Sequence, residues 1–255
     1  MSDTRRDSGS DTGPDSGSDS EDPAPRVVTP IDRAFLTHEV DATELILVRH
    51  GQQDFPDPAT AKVGDWIDPP LSELGRRQAQ AVARALSHER IDAIYASHLL
   101  RALATGEAIA EHHGLEVQIE EDLREIETFR DLPRDASPLE VIGALRLQGA
   151  RERFVRHRTW EVYPYTERNE AFRHRAVNVI EGIAASHPGQ RIVVACHGGV
   201  INAYVGEVIG LDTAMFFRPA HASVHRVRAH ELTRALWSLN ETHHLVGEGI
   251  DLVSY

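Results

Sequence analysis

The chain has 255 residues, of which 41% are hydrophobic, and its formal net charge at pH 7 is −13. That length and apolar fraction are sufficient for one domain with a full core. The negative charge argues against a nucleic acid or an anionic membrane as the main partner, although a local basic pocket could still bind a small anion.

Two further features of the composition exclude classes of site. Cys196 is the only cysteine, so an internal disulfide and a cysteine-rich metal site are excluded. Lys62 is the only lysine, and no phosphate-binding loop of the form G-x-x-x-x-G-K-[ST] occurs. No secretory signal is recognisable and no apolar run is long enough to span a bilayer, which predicts a cytoplasmic protein without a membrane partner.

Residues 1–26 differ in composition from the rest of the chain. They contain the pentapeptide DSGSD twice, at residues 7–11 and 15–19, and almost no apolar side chains. Such a segment cannot bury enough surface to offset the conformational entropy that it would lose on folding. We therefore predict a disordered acidic tail over residues 1–26 and one folded domain over residues 27–255.

Short apolar segments alternate with helix-length segments from residue 43 onward. The predicted strands are residues 44–48, 92–96, 115–119 and 192–195, followed by a closing hairpin at residues 223–227 and 235–239. The predicted helices are residues 72–88, 99–113, a segment that begins at Pro138, residues 167–187 and residues 200–209. Strands separated by helices indicate an α/β fold, here a three-layer α/β/α sandwich with a mostly parallel central sheet.

Polar residues follow the predicted strands at the point where each strand ends. Arg49-His50-Gly51 follows the first strand, and His197-Gly198-Gly199 follows the strand at 192–195. Ser97 and Arg101 follow the second strand, and Leu123-Arg124-Glu125 follows the third. Ligands of open α/β sheets bind beyond the carboxyl ends of the strands, so we expect these groups to share one crevice. Two arginines and two histidines there would match the oxygens of a dianionic phosphoryl group.

These motifs together resemble those of the histidine phosphatase superfamily, in its phosphoglycerate-mutase-like branch (branch 1). Their order and approximate spacing agree over residues 44–201, and the stretch from Pro70 to Ala79 adds a further similarity. The resemblance implies a phosphomonoesterase that acts on a small phosphorylated metabolite through a phosphohistidine intermediate. It also implies that no metal ion or other cofactor is needed. Members of this family are often dimeric, so a homodimer is a further expectation.

The resemblance implies a role for each of the polar residues in these motifs. His50 would be the nucleophile that attacks phosphorus, since a neutral imidazole nitrogen is a competent nucleophile. The phosphate ligands that it implies are Arg49, Arg101, His197 and the backbone of Gly198. Glu125 would be the general acid and base that protonates the leaving alcohol and then deprotonates water. Glu127 is the rival for that role, but the Leu-x-Glu pattern favours Glu125.

Departures from the family pattern concern the substrate. The run after Gly51 begins at Gln52 and has Pro56 where the family commonly has a substrate-contacting asparagine. The arginine-rich segment 126–165 is predicted to cover the site and to select the leaving group. A phosphoglycerate-type mutase is one alternative function. A phosphoester-binding regulator without catalysis is another, but the presence of both His50 and Glu125 argues against it.

Two pairs of adjacent histidines, His112-His113 and His243-His244, raise the question of a metal site. Neighbouring residues on a helix or a strand point in different directions, so neither pair can ligate one ion together. We predict surface histidines and no metal site. Cys196 is predicted to be a small buried residue, because His197 is better explained as a phosphate ligand than as the base of a thiol.

Overall fold

The computed structural model describes residues 1, 28–38, 41–247 and 250–255. The predicted disordered tail therefore lies, apart from Met1, outside the described residues. Within the described part of the chain, no helix is both long and apolar enough to cross a membrane.

A six-stranded sheet forms the centre of the fold, with the strand order β3-β2-β4-β1-β5-β6. Its strands are β1 (Thr43–Arg49), β2 (Ala93–Ala96), β3 (Val117–Ile119), β4 (Arg191–Cys196), β5 (Val224–His230) and β6 (Thr233–Glu241). The first four strands pair in parallel, and β5 and β6 form an antiparallel hairpin against β1. The mostly parallel sheet and the closing hairpin that the sequence predicts are thus confirmed. A short separate pair comprises β7 (Val246–Gly247) and β8 (Ile250–Asp251).

Helices cover both faces of the sheet. They are α1 (Pro30–Ala34), α2 (Val63–Ile67), α3 (Glu73–Leu86), α4 (Leu100–His113), α5 (Pro138–Ile142), α6 (Ala144–His157), α7 (Asn169–Ser186) and α8 (Gly198–Val208). Strand β1 shows how the layers arise, because its side chains alternate between the faces with a period of two. Leu45 and Leu47 pack with α7 and α8, whereas Ile46 and Val48 pack with α3 and α4. The three-layer α/β/α architecture is therefore confirmed.

The segment 126–165 contains more regular structure than the sequence analysis predicts. The predicted helix that begins at Pro138 is two helices, α5 and α6, which are separated at Gly143. Gly143 has a φ of 86°, a left-handed value that favours glycine and ends a right-handed helix. A 3-10 turn, Trp160–Val162, follows α6 and brings aromatic side chains back towards the sheet.

Candidate active site

Strand register places His50 next to His197. Strands β1 and β4 are parallel neighbours in which Arg49 pairs with Cys196, and the backbone N–H of His50 donates to the Cys196 carbonyl at 3.0 Å. The next residue of each strand is a histidine, and the two imidazole ring centroids are 5.1 Å apart. His50 is 3% exposed and His197 is fully buried. The two strand-end histidines of the sequence analysis therefore lie in one site.

The His50 imidazole has a defined tautomer. Its Nδ1 lies 2.6 Å from the Gly51 carbonyl oxygen, and because a carbonyl can only accept, Nδ1 carries the proton. Nε2 is then the nitrogen with the free lone pair, on a side chain that lines the cleft. Burial, together with the positive charges of Arg101 and Arg49 and the neighbouring His197, holds the pKa of His50 well below its usual 6.5. The imidazole is therefore neutral at physiological pH.

Arg49 and Arg101 bring two guanidinium groups to the same place. The Arg49 guanidinium donates to the Pro219 carbonyl and, at 3.0 Å, to Nε2 of His221. Arg101 donates to the Ile67 carbonyl at 3.1 Å and is 6% exposed. Burial lowers the pKa of Arg49 to about 10 and also lowers that of Arg101, so both remain charged at neutral pH. These hydrogen bonds to the surrounding protein hold the two guanidinium groups in place.

Several polar atoms around His50 have no partner within the described residues. They are Nε of Arg49, Nε of Arg101 and both ring nitrogens of His197, and all of them are buried. Buried polar atoms are normally hydrogen-bonded, so unpaired ones clustered at a cleft indicate a site for a polar ligand. Gly198 adds the N-terminus of α8, whose dipole favours an anion. Burial and the two nearby arginines keep the pKa of His197 well below 6.5.

Glu125 lies against the turn that follows β4. Its carboxylate accepts hydrogen bonds at 3.0 Å from the backbone N–H of Gly199 and from its neighbour Ile126. A Cβ at Gly199 would overlap Oε1 of Glu125, so glycine is needed for this approach. Glu127 also lines the cleft, but its carboxylate lies 3.7 Å from Nε of Arg124 and 3.9 Å from Nε of Arg130. The geometry therefore favours Glu125 over its rival.

A buried ion pair that the sequence analysis missed holds the Glu125 segment in place. Arg175 on α7 donates to the carbonyl oxygens of Asp122 and Arg124 at 2.8 Å and to that of Glu125 at 3.1 Å. Its guanidinium also pairs with Glu167, at 2.8 Å between Nη2 and Oε2. Burial alone would raise the pKa of Glu167, but Arg175 holds it below its usual value. One cation thus ties three carbonyl oxygens of the backbone segment 122–125 to α7.

His221 is a second residue that the sequence analysis missed. Its Nε2 accepts the hydrogen bond from Arg49, and its Nδ1 lies 2.9 Å from Oγ of Ser254. Burial and the charge of Arg49 lower the pKa of His221 to about 3, so it is a neutral acceptor at physiological pH. Gln78 of α3 donates to the same Ser254 hydroxyl at 2.9 Å. No local motif marks His221, which is one of 15 histidines.

None of the four histidines in the adjacent pairs lines the cleft that contains His50. His112 and His243 are exposed, and the rings of His243 and His244 are nearly perpendicular. Across the residues that the structure describes, no three His, Cys, Asp or Glu side chains are grouped to hold a metal ion. Cys196 is fully buried, and burial raises the pKa of its thiol far above the usual value.

The site opens into a cleft with a volume of about 1280 Å³. Its inner end contains His50, Arg49, Arg101, Glu125 and Gly198, and residues of the segment 126–165 line its outer part. Of the described residues that line it, seven are arginines and three are carboxylates, in a chain whose net charge is −13. A neutral imidazole, two fixed guanidinium groups and a carboxyl group around a positively charged cleft are chemically suited to a phosphate ester.

Comparisons with known proteins agree with this chemistry. The sequence profile of the histidine phosphatase superfamily (branch 1) matches residues 45–242. Phosphoglycerate mutase-like protein 4 of Arabidopsis thaliana is 36% identical over 173 residues, which are 66% of this chain and 72% of that protein. Phosphoserine phosphatase 1 of Hydrogenobacter thermophilus is 29% identical over 211 residues, which are 79% and 94% of the two chains. The solved structure of a mycobacterial glucosyl-3-phosphoglycerate phosphatase superposes with a TM-score of 0.64 at 27% identity, covering 78% of this chain and 99% of that one.

The chain belongs to the histidine phosphatase superfamily (branch 1). Within that family it is a phosphoric monoester hydrolase, as the resemblance in the sequence implies.

Proposed function

We propose that the chain is a metal-independent phosphomonoesterase that hydrolyses a small phosphorylated metabolite through a phosphohistidine on His50. One observation carries this proposal. The His50 imidazole is neutral, its Nδ1 is bound to the Gly51 carbonyl, which leaves Nε2 free, and the side chain lines a cleft together with two fixed arginines. The result is an oriented nucleophile beside the positive charge that a phosphoryl dianion requires.

In the first half-reaction, Nε2 of His50 forms a bond to phosphorus while the bond from phosphorus to the leaving oxygen breaks. Glu125 gives its proton to that oxygen, so the product leaves as a neutral alcohol. Negative charge spreads over the three equatorial oxygens of the loose transition state. The side chains of Arg49, Arg101 and His197 would bind those oxygens, and the backbone N–H of Gly198 would add a further donor.

In the second half-reaction, a water molecule attacks the phosphoryl group on His50. Glu125, now a carboxylate, takes a proton from this water, the phosphorus–nitrogen bond breaks and inorganic phosphate leaves. The backbone N–H groups of Gly199 and Ile126 hold the carboxylate, and Arg175 holds the segment that carries it. One carboxyl group can therefore serve both half-reactions from one position.

A phosphoglycerate-type mutase is the second candidate, because the 36% identical relative has a mutase-like name. A mutase must protect its phosphoenzyme from water and recapture the bound intermediate. The cleft of about 1280 Å³ and the proline at position 56 favour hydrolysis over such retention. A cytoplasmic location and a homodimer stay predictions from the sequence.

Hydrolysis of an aryl phosphate in excess chelator tests the proposal. We expect full activity with chelator, a stoichiometric burst of the phenol and release of inorganic phosphate as the only phosphorus product. His50→Ala should abolish the burst, whereas the surface variant His112→Gln should keep it. Complete loss of activity with chelator would refute metal independence, and an intact burst in His50→Ala would remove His50 from its role. Transfer of the phosphoryl group to a second metabolite instead of water would favour the mutase.

A further inference from the structure

One face of α6 lines the outer part of the cleft. Leu147, Arg151 and Phe154 line it, and their spacing of four and three residues places them on one side of the helix, while Arg158, which follows the last helical residue, also lines the cleft. Arg158 is the C-cap of this helix and has a φ of 49°, where glycine is usual. An arginine side chain is therefore kept at the cleft in a backbone conformation that costs free energy.

Aromatic rings adjoin the arginines on this face. The ring centroids of Phe154 and Trp160 are 4.5 Å apart, and those of Trp160 and Tyr163 are 5.9 Å apart. All three rings line the cleft, and Trp160 also packs against the core, which fixes the wall that they form. Nε1 of Trp160 is buried and has no hydrogen-bond partner among the described residues. Aromatic side chains therefore form this wall of the cleft.

Two arginines of this face lack a carboxylate partner among the residues that the structure describes. Arg151 and Arg158 form no ion pair with any described residue, whereas Arg124, at the inner end, pairs with Asp122 at 2.9 Å. Arg151 lies beside Tyr163, where its charge opposes the rise in the tyrosine pKa that burial causes. The phosphoryl group is already served by Arg49 and Arg101. The unpaired cations further out are thus available to a different anionic group.

We propose that the face formed by Leu147, Arg151, Phe154, Arg158, Trp160 and Tyr163 is a distal subsite for the leaving group, and that the substrate is a phosphomonoester whose alcohol carries a flat ring and a second anionic group. This inference rests on the proposed function. The ring stacks on the aromatic wall, and the anion binds Arg151 and Arg158. The cleft volume of about 1280 Å³ exceeds the range of about 300–1,000 Å³ that is typical of pockets for drug-sized ligands. A three-carbon phosphate ester would therefore leave this part of the cleft unused.

Three artificial substrates separate the parts of this proposal. They are 1-naphthyl phosphate, a naphthyl phosphate that bears a carboxylate on the distal ring, and glycerol phosphate. We expect kcat/KM to rise from glycerol phosphate to naphthyl phosphate and again to the carboxylated ester. The preference for the carboxylated ester should weaken as salt is added, because Arg151 and Arg158 are exposed and their charges are screened.

Variants assign the preference to the subsite. The double variant Arg151→Gln/Arg158→Gln should lower kcat/KM for the carboxylated ester about tenfold, the effect of one charge-assisted hydrogen bond, and lower it much less for naphthyl phosphate. Phe154→Leu should lower it for both naphthyl esters but not for glycerol phosphate. The matched control is Arg156→Gln, because Arg156 is an exposed arginine of the same helix that does not line the cleft.

The outcomes distinguish this inference from the proposed function. If naphthyl phosphate is hydrolysed in a His50-dependent way but the carboxylate gives no advantage, or if Arg156→Gln has the same effect as the double variant, the subsite is refuted and the phosphatase mechanism stands. If no ester is hydrolysed, or if His50→Ala retains the activity, the proposed function itself fails. The exposed arginines can be replaced without disturbing the core, so a misfolded variant is not expected to obscure the result.

Discussion

Gly199→Ala offers a way to move Glu125 without changing it. A Cβ at residue 199 would overlap Oε1 of Glu125 and would lie 3.1 Å from Cδ of Glu125 and from Cζ of Phe172. The first of these atoms belongs to the end of a rotatable side chain, so the carboxylate can turn away while the helix stays in place. Gly199 has no left-handed φ, and alanine fits its helical backbone.

The expected magnitude follows from the role of the displaced group. General acid catalysis typically contributes about 10²–10⁴-fold, and it matters most when the leaving group is a poor one. We therefore expect Gly199→Ala to lower kcat/KM at least about 100-fold for an alkyl phosphate and only a few-fold for 4-nitrophenyl phosphate. Stability should change by no more than about 1 kcal/mol, because the higher helix propensity of alanine offsets much of the lost hydrogen bond.

Steady-state kinetics with both substrates, together with urea unfolding, would measure these effects. The control is Gly182→Ala in α7, where an added Cβ meets no atom within 4 Å and should leave both activities unchanged. Equal losses on both substrates would refute the assignment of Glu125 as the acid. A large loss of stability would show instead that Phe172, and not the carboxylate, is displaced.

Three further predictions concern charge and pH. Because the pKa of His50 is lowered well below 6.5, the burst rate with a fully dianionic aryl phosphate should be flat from pH 8 to 6, where an unperturbed histidine would lose about fourfold. His221→Leu removes the acceptor for Arg49 and should raise KM about tenfold, with recovery in His221→Gln, whose amide oxygen can reach the position of the imidazole Nε2. Arg226→Met should cost about 2 kcal/mol in urea unfolding at pH 7. Burial alone would raise the pKa of Glu89, but Arg226 lowers it, so the loss of stability should shrink as the pH falls through the carboxylate range. Equal losses at pH 7 and at a pH below that range would contradict this prediction.

The sequence predicts much of the fold because β1 and β4 each contain a run of four apolar residues, 45–48 and 192–195, and are each followed by a histidine and a glycine. Such segments are typical of buried parallel strands, and their polar ends then fall at one edge of the sheet. The position of His50 beside His197 follows from this rule and from one register, Arg49 opposite Cys196. Local pattern and the rule for open α/β sheets thus predict that the two histidines lie close together, whereas the strand order itself came from the structure.

Residues that act through long-range contacts were not predictable in this way. Arg175 reaches carbonyl oxygens about 50 positions earlier in the chain, and His221 meets Arg49 across 172 positions. Neither contact leaves a periodicity or a motif in the sequence, because each depends on how α7 and the closing strands pack. The break at Gly143 was missed for a different reason, since a lone glycine between two helical patterns does not reveal its φ.

The central claim is that Nε2 of His50 carries the phosphoryl group. The enzyme would be mixed with an aryl phosphate that has a good leaving group and quenched rapidly without acid. Peptide mapping and ³¹P NMR would then locate the phosphoryl group. We expect one phosphorylated peptide that contains His50, with phosphorus on Nε2, because the Gly51 carbonyl occupies Nδ1 at 2.6 Å. Phosphorus on Nδ1 of His50, or on His197 or another residue, would contradict the account.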